Sequence, residues 1–316
     1  MRSAVLFLGV LFPMLLASCR EHTPAPAAAP ATPAAARVAA AEAKAAAVPA
    51  PLPPTPEELE AGAAALRERA VLMHAIFGTK FNPAANEAPI EMRAPDEPDL
   101  SMYTIEPVAH AFLPNGDAAL VANALIVRAD RDGIRVHTDG GLLNVFILRK
   151  ADGRWTLLKH HANVARLGTW ERIGTAKFMH LAPGKPGLAM LYGSAFQGYV
   201  DRYLSLFDLG AADLRDLTGD GIAVSASALA CEPADTETCY DVTSGWRFAV
   251  SASGAAYNDL VFQFRGEEDS KKDVRRKGGE GPRLASDITR LDGAARYAYD
   301  GKTYVLVEGK NLAKSH

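Results

Sequence analysis

The 316-residue chain holds 48% hydrophobic and 22% charged residues and a formal charge of −3. Acidic and basic residues are interspersed along it, which excludes a polyanion-binding face built on bulk charge, and no nucleic-acid partner is expected. About 55 residues at the start are leader and low-complexity linker, which leaves about 260 for one large or two small domains.

Residues 1–18 carry a single positive charge, Arg2, before an apolar run at 4–16 that is too short to span a bilayer comfortably. That is the pattern of a signal peptide. The run closes on Leu16-Ala17-Ser18-Cys19, which resembles the lipobox of bacterial lipoproteins. The resemblance implies that Cys19 is lipidated and becomes the mature N-terminus, with a diacylglyceryl group and often a further acyl chain. Each buried methylene contributes about 0.8 kcal/mol, so one chain gives marginal attachment and several give persistent attachment. Arg20 follows the cysteine, where some enteric lipoproteins kept at the inner membrane have Asp. The expected location is the cell envelope, at the outer membrane facing the periplasm.

Residues 19–54 are Ala and Pro with few charges, a composition that cannot bury enough apolar surface to offset backbone ordering. They read as a tether with a reach between roughly 30 Å as coil and roughly 100 Å as extended polyproline. A capping-box pattern, Thr55-Pro56-Glu57-Glu58, then opens a predicted amphipathic helix over 55–78. Leu59, Ala63, Leu66, Ala70, Met73 and Phe77 recur at steps of four and three and form its expected packing stripe, with Gly78 as the stop. If that stripe faces solvent, the helix is a partner-binding element instead.

Residues 79–316 read as a β-rich envelope domain. Beyond Pro95 the hydrophobic period is two, and Asn115-Gly116, Asp132-Gly133, Asp139-Gly140-Gly141, Asp152-Gly153, Pro183-Gly184, Asp220-Gly221 and Asp300-Gly301 punctuate it. Strands are predicted at 119–127, 142–149, 155–160, 176–181, 188–192, 200–207, 246–250, 260–264, 296–299 and 303–307. Their close spacing favours antiparallel pairing. The expected fold class is mainly β: an antiparallel sandwich or propeller-like domain with one N-terminal helix. The charged stretch 266–287, with Lys271-Lys272-Asp273-Val274-Arg275-Arg276-Lys277, reads as a mobile surface loop.

Cys231 and Cys239 lie close together, and in an oxidising compartment the expected state is a disulfide contributing roughly 2–3 kcal/mol. Two thiols without nearby histidines fall short of a zinc set. Asp216-Leu217-Thr218-Gly219-Asp220-Gly221 is similar to the calcium-binding loops of FG-GAP and VCBS-type β-repeats. That resemblance implies calcium on Asp216, Thr218 and Asp220, but Val224 stands where a closing acidic residue would fall; the other reading is a plain glycine turn. His160 and His161 are neighbours in a predicted strand, so they point to opposite faces and cannot share one ion. His110, His137 and His180 lie in other segments.

Ser194 lacks the Gly-x-Ser-x-Gly elbow, and no zincin, P-loop or dinucleotide motif occurs. Tyr199, Asp201 and Tyr203 alternate with Val200, Arg202 and Leu204, so one face of that strand is a candidate platform for a sugar or peptide, unless the strand is buried on both faces. The expected function is non-catalytic contact with a glycan, peptide or envelope protein by a lipid-anchored domain. The alternatives are an envelope hydrolase whose site assembles only in the fold, and a calcium-stabilised β-repeat module.

Overall fold

A computed structural model describes residues 55–94, 99–127, 137–196, 198–228, 238–274 and 283–313. The expected signal peptide, Cys19, the expected tether 19–54, Asp132-Gly133 and Cys231 lie outside the described residues. The domain is mainly β and antiparallel, with a single long helix at its N-terminal side. That helix, α1, spans Pro56–Phe77 and a 3-10 turn, Gly78–Lys80, follows it. A five-stranded sheet then runs in chain order: β1 (Ala88–Met92), β2 (Ser101–Phe112), β3 (Ala118–Ile126), β4 (Gly141–Ala151) and β5 (Arg154–Leu167).

A nine-stranded sheet follows. It comprises β6 (Thr175–Ala182), β7 (Lys185–Phe196), β8 (Tyr199–Asp208), β9 (Ile222–Ala228), β10 (Cys239–Ala249), β11 (Asp259–Val274), β12 (Arg283–Arg290), β13 (Gly293–Tyr299) and β14 (Tyr304–Gly309). The pairing is a meander from β6 to β11; β11 then pairs with both β12 and β13, and β14 forms the far edge. Consecutive antiparallel neighbours follow from the short turns. At the β4–β5 hairpin Asp152 and Gly153 both take positive φ, 53° and 76°, which Asp-Gly accepts at little steric cost.

The two sheets pack face to face as sandwich layers. β3 lies between two cores, and its alternation separates them. Leu120, Ala122 and Ala124 join Phe146, Leu148, Leu72 and Met73 under the helix. Ala119 and Val121 join Leu143, Val145, Leu188, Met190 and Phe207 between the sheets. Every β3 residue but the last is therefore buried. A third core, with Leu204, Leu206, Leu260, Phe262, Phe264 and Tyr297, is enclosed by the nine-stranded sheet itself.

The structure corrects two expectations. The stretch 266–287 is a hairpin wherever it is described: β11 runs on to Val274 and β12 returns from Arg283 in register, Glu267 opposite Arg290 and Val274 opposite Arg283. The stripe on α1 is the second, corrected only in its N-terminal part. Leu72 and Met73 are its buried residues, with Ile76 and Phe77 packed beside them, whereas Leu59 and Leu66 are exposed. Glu68 also contacts the domain, 2.7 Å from the His110 ring on β2. The expected stripe therefore packs through Ala70, Met73 and Phe77, and its N-terminal part is left uncovered.

Candidate functional site

The nine-stranded sheet curls until its last strand meets β8 through one residue of the β8–β9 connection. Leu217 donates its N–H to the Leu206 carbonyl (2.7 Å), and its own carbonyl accepts from the Tyr304 N–H (2.7 Å) and the Thr303 hydroxyl (2.8 Å). The strap is set by its neighbours in sequence. Asp216 Oδ1 accepts from the Thr218 N–H (2.7 Å) and the Thr218 hydroxyl (2.5 Å), which turns the chain tightly on either side of Leu217. Gly221 follows at φ 87°, and a Cβ there would sit 2.3 Å from the Tyr192 hydroxyl oxygen, so glycine is the residue that fits.

Beside the strap opens a pocket of about 750 Å3. Tyr203, Tyr297 and Tyr304 supply rings, Ile222, Leu306 and Leu312 supply aliphatic wall, and Thr218, Asp220, Glu268, Lys310 and Asn311 supply polar groups. This volume and this mixture, an apolar lining with a few convergent polar groups, are those of a small-molecule site. The chain after β14 closes one side. Asn311 donates to the Ala223 carbonyl and to the Tyr297 hydroxyl oxygen, both at 2.9 Å, and its own oxygen accepts from the Ala313 N–H at 2.9 Å. Burial pushes the Tyr297 and Tyr304 hydroxyls above the usual phenol range, so both stay neutral and keep a proton to donate. Tyr304 donates its proton to the Asn258 carbonyl (2.8 Å), whereas Tyr297 accepts from Asn311.

The predicted site residues separate. Tyr203 lines the pocket, stacked on Tyr192 with ring centroids 5.7 Å apart. Tyr199 is exposed and Asp201 half-buried further along the strand, while Leu204 to Asp208 are fully buried, so β8 is platform at one end and core at the other. Burial raises the Asp201 carboxyl, and its Oδ1 is buried with no hydrogen-bond partner. Asp216 turns inward, its carboxyl raised by burial against hydrogen bonds from Ser205 and Thr218, while Asp220 lines the pocket. Calcium takes six to eight oxygens; Asp216, Thr218 and Asp220 supply three side chains, so an ion held here needs backbone carbonyls and water as well. Among the described residues no three His, Cys, Asp or Glu side chains are grouped to share a metal.

Cys239 opens β10, while Cys231, its expected partner, lies outside the described residues. His160 stacks on Phe146 at 4.1 Å and bonds Asn144 Oδ1 at 2.9 Å. Burial, with the charge of His161 second, pushes it down to about 4. His110 and His137 are engaged elsewhere, with Glu68 and Trp170.

Sequence reasoning missed Glu268, Tyr297, Tyr304, Lys310 and Asn311 as pocket residues, since nothing local in the chain marks their convergence. It also missed the link between the sheets. There Trp170 and Glu171 both hold left-handed φ, 56° and 57°, between Gly168 (68°) and Gly174 (83°). Two adjacent bulky residues in that region store strain that the surrounding structure must hold. The Glu171 carbonyl accepts from Asn123 Nδ2 at 2.8 Å and its N–H donates to the Asp139 carbonyl at 2.6 Å. The signal in the sequence was the pair of glycines bracketing a short charged aromatic segment.

Compared with known protein families, with curated proteins and with solved structures, the chain matches none.

Proposed function

We propose that this chain is a lipid-anchored protein of the bacterial envelope whose domain binds a glycan in the strap pocket without cleaving it. The observation that carries the reading is the pocket: three tyrosines and a ring of carboxylate, amide, hydroxyl and ammonium groups about a space of about 750 Å3. Sugars present both apolar C–H faces and hydroxyls, and tyrosine with its ring and polar end suits both. The anchor supports the same reading. Cys19 fixes the chain to the membrane, the tether 19–54 lets the domain reach outward, and the Cys231–Cys239 disulfide belongs to an oxidising compartment.

The test is binding of defined envelope glycans, peptidoglycan fragments and lipopolysaccharide cores, to the mature protein by calorimetry, with Tyr203→Ala and Asn311→Ala as variants. Saturable binding that both variants weaken supports the proposal. No binding by any glycan class overturns it. Recovery of each glycan at unchanged mass is expected. Cleavage would transfer the site to a hydrolase, with Asp220 and Glu268 as the carboxylates to replace.

A further inference from the structure

We propose that two copies of the chain pair through the N-terminal half of α1, antiparallel and in two-fold symmetry. Leu59 and Leu66 are 59% and 52% exposed, and Ala63 lies between them on the helix surface. At roughly 100° per residue these three share one stripe. Ala63, Ala64 and Ala65 are all half-buried, and Glu68 contacts His110. The same line continues through Ala70, Met73 and Phe77, which pack on the domain, so the helix is held by its C-terminal half while the N-terminal end of the stripe shows its two leucines to solvent.

That stripe has the heptad form of a helix seam, Leu at d and Ala at a. It is built for close approach: Ala63 is small, and beside it Gly62 has open space where a side chain would go. The flanking charges choose the occupant. Glu60 and Arg67 are both exposed, lie one heptad apart on the same flank, and are too far apart along the helix to pair with each other. A two-fold axis across the helix between residues 63 and 64 sets Glu60 of one copy against Arg67 of the other, and the symmetry makes that contact twice. A parallel pairing sets Gly62 against Arg67 and forms no such ion pair. The stripe is therefore complementary to itself in one orientation. Two leucines and an alanine per copy make a weak contact, and confinement of anchored chains to one membrane raises their effective concentration.

The test uses the full anchored chain in membranes. Ala63→Cys places a thiol next to the axis, and mild oxidation is expected to give a band of twice the chain mass, while Ala61→Cys on the opposite side gives none. Adding Glu60→Arg or Arg67→Glu to Ala63→Cys is expected to cut cross-linking roughly tenfold, and adding both is expected to restore it. Melting curves of each variant check folding. Equal cross-linking at 61 and 63, a product with a different protein, or failure of the double exchange to restore the band overturns the proposal.

Discussion

The five-stranded and nine-stranded sheets bury themselves in different ways. The first is covered from outside: α1 lies on one face and β7–β8 of the second sheet on the other, so β3 is buried along almost its whole length. The second needs a cover only where it meets the first. Elsewhere it curls around Phe262, Phe264 and Tyr297 and is stitched shut at Leu217. Cavities open at the margins of both sheets, about 630 Å3 between α1 and β1–β2 and about 750 Å3 at the rim of the curled sheet, and the second is the one that gathers three tyrosines with polar groups. The helix and the rim are thus separable consequences of one meander.

The sharpest way to break that comparison is to hollow each core in turn. Phe146 is 1% exposed, beside Phe77 of α1, and Phe264 is 0% exposed inside the curled sheet. Either change to alanine is expected to cost about 3–5 kcal/mol in denaturant unfolding. Amide exchange distinguishes them. Phe146→Ala should speed exchange in α1 and spare glycan binding, and Phe264→Ala should do the reverse. If each variant loosens both regions equally, the domain is one indivisible core and the comparison fails.

A smaller and more local effect is expected at the strap. Gly221→Ala brings a Cβ to 2.3 Å from the Tyr192 hydroxyl oxygen at a φ of 87°, and should cost on the order of 1–3 kcal/mol. Adding Tyr192→Phe removes the atom in the way but leaves the backbone strain. Partial recovery of stability and of binding is therefore expected. Full recovery would mean that the clash was the whole cost, and no recovery that the backbone was.

What the sequence made legible follows the same division. Apolar strands lying between Asp-Gly and Asn-Gly turns announced themselves, as at β4 and β5. β2 did not, because Pro107 reads as a strand breaker; the structure accommodates it at a register shift between Pro107 and Ala109. The tail of β11, Gly266-Glu267-Glu268-Asp269, reads as loop because its polarity hides a backbone ladder with β10 and β12. The pocket was out of reach for another reason. Tyr203, Glu268, Tyr297 and Asn311 converge only once the sheet curls, and the curl rests on hydrogen bonds of Leu217, a residue without sequence signature. The Asp-x-Thr-Gly-Asp-Gly motif did mark the right loop, and it earns its turn residues by holding that strap.

The next prediction concerns pH and the covered sheet alone. His160 falls to about 4 when folded against an ordinary value near 6.5, since burial against Phe146 disfavours the cation. The unfolded chain then binds more protons than the folded one between those values. This contribution is whole above pH ~6.5 and is lost as pH falls toward 4. Discounted for partial exposure it is on the order of 1–2 kcal/mol. His160→Gln keeps a donor for Asn144 and should flatten the melting temperature over that interval, while Phe264→Ala leaves the slope in place. An unchanged slope in the glutamine variant would remove His160 as its source.

The smallest expected effect separates the strap from a cation site. Burial raises the Asp216 carboxyl, so the folded state holds its proton more tightly than the unfolded chain. The stability this proton brings is present at acid pH and is lost as pH rises through the raised value. Asp216→Asn keeps an acceptor for Thr218 and removes the desolvated charge. It should therefore stabilise the domain above that pH, by less than about 1 kcal/mol, and have no effect below it. Melting with calcium and with chelator gives the decisive contrast. A pocket rim held by Leu217 alone melts at one temperature in both, for both proteins. A calcium-stabilised loop would melt higher with calcium in the native chain, and the asparagine variant would lose that rise. That result would give Asp216 a role as ligand, and the curled sheet would then owe its closure to an ion as well as to a backbone ladder.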